Sequence, residues 1–101
     1  MKPAILHAEA ESELRAHVAY YEGKSPGLGL DLEARVRRAV QEIRGRPAGF
    51  PFHHAPPIRK RHLKRFPFTI YYVELPDALW ILAVAHNRQR PDYWRRRIPP
   101  A

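Results

Sequence analysis

Apolar residues recur at helical spacing through the N-terminal half of the chain. Ala10, Leu14, Val18 and Tyr21 form one stripe of a helix running from about residue 8 to residue 23. Gly23 and the Ser-Pro-Gly of 25–27 break that helix. Leu28, Leu32, Val36, Val40 and Ile43 then predict a second helix, with Arg35, Arg37, Arg38 and Arg44 on its wet face and a stop by Gly45-Arg46-Pro47. Two such helices with a short connection predict an antiparallel hairpin. Neither stripe can be buried without a further surface.

The C-terminal half supplies that surface. Residues 47–57 (PAGFPFHHAPP) form a proline-rich loop, followed by a basic strand at 58–65 (IRKRHLKR). Residues 66–75 (FPFTIYYVEL) are dense in aromatic and β-branched side chains, which favour a strand. Pro76-Asp77 makes a turn, and 79–86 (LWILAVAH) is apolar on both faces, as a central strand is. Residues 3–7 add a short first strand. The predicted order is β-α-α-β-β-β, its last three strands an antiparallel meander and its helical hairpin covering one face. That is a two-layer α+β domain with a mainly antiparallel sheet, a single domain over 1–101. Pro91 is placed to start a short C-terminal helix over 92–97, pinned by a buried Trp94. Tyr71 and Tyr72 must point to opposite faces, one under the helices and one toward the open side.

Composition narrows the function. A chain of 101 residues with 45% apolar content supports one modest core. The absence of cysteine excludes disulfides and thiolate metal sites. The apolar run 79–85 is far short of the roughly 20 residues of a membrane helix, so a soluble, cytoplasmic protein without a membrane partner is expected. The net charge is +8, and its distribution is uneven. Residues 1–52 hold eight Lys/Arg against seven Asp/Glu, whereas 53–101 hold ten against three. Such asymmetry points to a polyanionic target or an acidic partner.

Candidate chemistry is sparse. No histidine shares a face with another His or a carboxylate at metal-ligand spacing; His53-His54 lies in the proline-rich loop, and neither metal nor cofactor is expected. Three acids in the C-terminal half are too few for a two-metal nuclease. In the basic strand, period-two geometry puts Arg59 and Arg61 on one face and Lys60 and His62 on the other. The charge there either guards a sheet edge or works. In the second case Arg59, Arg61 and Arg65 join Arg88 and Arg90 to hold phosphates or carboxylates. His86, at the exit of the central strand, is either a proton-transfer group or a histidine bonded to the following turn.

Three segments in order carry a family resemblance that covers essentially the whole chain. AEAESELRAHVAYYE with SPGLGLDL, then RKRHLKRFPFTIYYVE, then LWILAVAHNRQRPDYW, whose ending has the form His-x-x-Arg-x-Pro-x-Tyr-Trp, resemble a RelE/ParE-superfamily toxin of bacterial type II toxin–antitoxin systems, in its plasmid-stabilisation, ParE-like branch. The resemblance implies growth inhibition by poisoning DNA gyrase, neutralisation by a cognate acidic antitoxin, and a toxin–antitoxin hetero-oligomer. Partner-binding residues would then be Arg59, Arg61, Arg65, Arg88, Arg90, Tyr93 and Arg95. The RelE-like alternative is a ribosome-dependent, metal-independent endoribonuclease acting on ribosome-bound mRNA. In that case Arg59, Arg61 and Arg65 clamp phosphate, Arg88 stabilises the leaving group and Tyr93 stacks on a base. The ribonuclease branch uses a lysine or glutamate base, or a His-Tyr ending. Here only Lys60 or Lys64 could serve as base, and the chain runs several residues past its Tyr-Trp. These departures favour the ParE-like reading. A third is a non-toxic module that only binds an antitoxin.

Overall fold

A computed structural model describes residues 1–99. The elements are β1 (Ala4–Leu6), α1 (Ala8–Lys24), α2 (Leu28–Gly45), β2 (Ile58–His62), β3 (Phe68–Glu74) and β4 (Leu79–His86), with 3-10 turns at Pro47–Gly49 and Arg95–Arg97. The sheet order is β1-β4-β3-β2. β1 lies parallel to β4, with Ala4 opposite Leu79, and β2, β3 and β4 form the expected antiparallel meander. The order of elements and the α+β architecture agree with the reading of the sequence.

The apolar stripes do what their spacing dictates. Leu14 of α1 and Leu32, Val36, Val40 and Ile43 of α2 pack on Phe68, Ile70, Tyr72, Leu79, Ile81 and Val84 of the sheet. Tyr72 is fully buried there and donates its hydroxyl to Pro47 O at 2.6 Å. The opposite face is covered as well. Ile58, Val73, Leu82, Ala83 and Ala85 pack around Trp94, which is 1% exposed. Tyr71 therefore does not face solvent freely: its ring stacks on Trp94 with centroids 4.4 Å apart.

Two boundaries differ from expectation. The basic strand ends at His62 instead of continuing to 65, and β3 begins at Phe68. Leu63 and Phe66 turn inward to the core, and Leu63 N–H donates to Phe68 O at 2.9 Å, closing the connection. The terminal segment is a turn through 91–94 and one 3-10 turn, because Asp92 sits at φ +61°, where no right-handed helix can pass.

The helical hairpin is held at its tip by a charge and a close approach. Glu22 of α1 accepts from the N–H groups of Gly27 (2.7 Å), Gly29 (2.9 Å) and Leu30 (3.3 Å), capping the otherwise unsatisfied start of α2. These backbone hydrogen bonds, led by that from Gly27, lower the Glu22 pKa. Gly29 is where the helices touch: a Cβ there would lie 2.2 Å from Val18 O.

Two outcomes follow from this tip. Gly29→Ala must push α2 away from α1 and should cost about 3 kcal/mol, read from urea unfolding. Because the folded Glu22 pKa is depressed, its contribution is complete above the ordinary glutamate pKa and is lost as pH falls through the folded value. Glu22→Gln should therefore flatten the acid limb of the stability–pH curve measured by thermal unfolding from pH 7 to pH 3; an unchanged limb would refute the role.

Candidate functional site

Alternation along β2 sends Arg59 and Arg61 to the helix side of the sheet. Arg59 donates to Phe50 O at 2.7 Å and lies 3.8 Å over the Phe52 ring. Arg61 reaches Glu42 of α2 at 3.2 Å. Arg65, in the turn after β2, pairs with Asp31 at the start of α2. Between α2 and β2 these contacts frame an open cleft of about 330 Å³ lined by Arg35, Arg38, Glu42, Arg61 and Lys64. Four cations thus surround one carboxylate, which makes the cleft an anion-attracting surface.

A second concavity, of about 220 Å³, lies at the C-terminal corner on the other face. His62, Thr69, Tyr71, Asn87, Arg90 and Tyr93 contribute to it. A hydrogen-bond chain crosses it: Thr69 Oγ1 donates to Asn87 Oδ1 at 2.7 Å and lies 2.6 Å from His62 Nδ1. Since the hydroxyl proton goes to Asn87, His62 Nδ1 is the donor to Thr69. His86 takes the turn-bonding role, its Nδ1 accepting from Arg88 N–H at 3.1 Å.

The seven residues singled out from the sequence therefore do not converge on one point. Arg61 lines the cleft between α2 and β2, and the side chain of Arg59, two residues earlier in β2, packs against the loop before the strand. Arg90 and Tyr93 line the C-terminal corner. Arg95 lies outside both, paired with Asp92 at 3.5 Å. Arg65 and Arg88 belong to the two segments at one end of the sheet, the β2–β3 turn and the β4 exit, which Asn87 N–H ties together by donating to Pro67 O at 2.8 Å. Among the described residues Arg88 and Arg90 have no ion-pair partner, and both are exposed.

Arg97 stands apart from the two arginines before it. Its side chain is 1% exposed and grips Glu13 of α1 with two hydrogen bonds, Nη1 to Oε1 at 2.9 Å and Nη2 to Oε2 at 2.6 Å. Nη1 also donates to Leu82 O at 3.0 Å. Tyr93 joins the same carboxylate, its hydroxyl donating to Glu13 Oε1 at 3.2 Å. Burial, with Glu13 beside it, pushes the Tyr93 pKa up to about 12, so the phenol stays protonated. Sequence spacing could not separate Arg97 from Arg95 and Arg96, because their ranking depends on contacts more than 80 residues away.

Neither a family model nor a curated protein matches this chain. Among solved structures, a chain of the chromosomal ParDE toxin–antitoxin system from P. aeruginosa superposes with a TM-score of 0.73 at 21% identity, covering 85% of this chain and 96% of that one. This protein has the fold of that chain. At such identity the match speaks for backbone and topology, and it agrees with the resemblance read from the three sequence segments.

On this fold the Glu13–Arg97 pair should be a stability element and not part of a working surface. Glu13→Ala removes both carboxylate hydrogen bonds of a buried guanidinium, leaving only Glu9 at 4.0 Å, and should cost about 3 kcal/mol in denaturant unfolding. Removing Glu9, which pairs with exposed Arg96 at 2.6 Å, should change stability little by comparison.

Proposed function

We propose that this chain is the toxin of a ParE-like toxin–antitoxin pair, that it acts in the cytoplasm on DNA gyrase, and that a cognate acidic antitoxin neutralises it. The observation that carries this reading is the basic cleft between α2 and β2 on a ParDE fold. An acidic antitoxin segment laid along α2 would offer carboxylates to Arg35, Arg38 and Lys64 and compete with Glu42 for Arg61. A segment of that kind binds by folding onto a surface already formed.

The same geometry favours a gripping surface over RNA cleavage. Cyclising cleavage needs a base and phosphate-holding cations around one point. Lys60 lies on the face of β2 opposite Arg59 and Arg61; Lys64 shares the cleft with Arg61, but Arg61 is already held by Glu42 and Arg65 is drawn to Asp31. Arg88, exposed and free of ion pairs among the described residues, is instead well placed to meet a second macromolecule.

Purified protein should inhibit supercoiling by DNA gyrase at micromolar concentration, and Arg88→Ala should lose growth inhibition without loss of thermal stability. Gyrase left fully active, together with codon-spaced cuts in translated mRNA by primer extension, would replace this reading with the ribosome-dependent nuclease. Growth left unaffected by expression, with an acidic partner still bound, would leave a non-toxic antitoxin-binding module.

A further inference from the structure

The loop before β2 and the turn after β4 meet on the side of the sheet away from the helices. His53 Nε2 lies 2.7 Å from Asp92 Oδ1, across 39 residues of sequence. The His54 ring packs on that of His53 with centroids 4.1 Å apart. One ligand atom from each of His53, His54 and Asp92 falls within 4.8 Å of the other two. Read along the chain, the two histidines form only a loop dipeptide. Folding supplies the carboxylate.

Backbone conformation marks the same three residues. His54 and Asp92, at φ +66° and +61°, are the two non-glycine residues with positive φ among those described. Left-handed backbone is uncommon outside glycine, and where it persists it clusters at clamps and binding sites. Here both instances fall on one trio, and neither position holds the glycine that would relieve it. The third member is fixed by packing. The His53 side chain is 11% exposed, with its ring 4.9 Å from Tyr71 and 5.6 Å from Trp94.

The geometry points to a divalent transition-metal site of the zinc class at His53, His54 and Asp92. Two imidazoles and one carboxylate are a donor set that suits Zn²⁺ and leaves a fourth position for water or for a partner's side chain. Bonds of about 2.0–2.2 Å in a tetrahedron space the ligand atoms about 3.3–3.5 Å apart. Entry of the cation therefore opens the His53–Asp92 contact by roughly 0.6–0.8 Å, on the same bond lengths. The exposed His54 ring turns inward to complete the set. The cation takes the place of the proton that the ring and carboxylate share. It would cross-link loop 50–57 to the turn that carries Arg90 and Trp94, fixing the C-terminal corner whatever the protein's target.

The test is a Zn²⁺ titration of the full, tag-free chain by calorimetry, with thermal unfolding and the visible spectrum of the Co²⁺ form alongside. Saturable binding of one Zn²⁺ per chain, a Tm that rises with Zn²⁺, and a four-coordinate Co²⁺ spectrum are expected. His54→Asn and Asp92→Asn keep a residue that accepts left-handed backbone, so both should fold, and each should weaken Zn²⁺ binding about tenfold or more. His7→Asn, at the start of α1 and outside the trio, keeps an N-cap acceptor for Glu9 N–H and should leave the affinity unchanged. Absence of saturable binding, affinity retained in both asparagine variants at 54 and 92, or an equal loss in His7→Asn would overturn the site.

Discussion

The structure turns on one buried ion pair. β1 shields the outer edge of β4 only as far as Ile81, whose carbonyl accepts from His7 N–H at 3.0 Å. One residue further on, Leu82 O is met by Arg97, which also holds Glu13 at the first turns of α1. A single guanidinium thus closes a sheet edge and joins the C-terminal segment to both layers. Buried charges are costly unless their donors find acceptors; the bidentate carboxylate and the Leu82 carbonyl satisfy both terminal nitrogens of Arg97, while its buried Nε has no partner among the described residues. The arrangement also fixes where Trp94 must lie, three residues earlier, over the face that the helices leave open. Edge closure and face closure are therefore one event.

That coupling explains why a segment with so many arginines is ordered at all. Six residues in a turn and a 3-10 turn have no cooperative helix to hold them. They are held by the Trp94 indole against Tyr71, by Arg97 in its pocket, and by Arg96, which donates to both oxygens of Glu9 at 2.6 and 2.7 Å. α1 meets this segment with Glu9 and Glu13 four residues apart on one face, a spacing that matches Arg96 and Arg97. The acidic start of α1 thus serves two purposes: it complements the helix dipole and it receives the C-terminus.

Periodicity made most of the fold legible. The stripes of Leu14 and of Leu32–Val36–Val40–Ile43 are the helix faces that are buried, and the alternation around Tyr71-Tyr72 splits those rings between faces as a strand must. What the pattern left hidden depends on pairings distant in sequence. Gly29 reads as a flexible residue near a turn, yet it is the contact point with Val18. Arg97 reads like its two neighbours, and only its partners 84 and 15 residues away distinguish it. The same holds for the candidate site. Arg59 and Arg61 share a face as alternation requires, but composition could not say that Phe50, Phe52 and Glu42 would occupy them.

Pairing also decides which charges the protein shows to its surroundings. Arg61, Arg65, Arg95, Arg96 and Arg97 each stand beside a carboxylate, so their fields are largely cancelled a few ångströms away. Arg38, Lys64, Arg88 and Arg90 form no ion pair among the described residues, and with the other unpaired lysines and arginines they carry the external positive potential. Lys64 and Arg88 stand at the same end of the sheet, because the β2–β3 turn and the β4 exit are tied through Pro67 O and Asn87 N–H. A polyanionic partner approaching within a Debye length, about 8 Å at physiological salt, would feel that end and the adjoining α2 cleft more strongly than any surface on which acids and bases alternate. Recognition at this end would weaken steeply with salt, whereas the buried Arg97 pair that holds the corner in place would hardly notice it. The interactions that build the surface are thus of a different physical kind from those the surface offers to a partner, and the fold keeps them apart by burying one set and exposing the other.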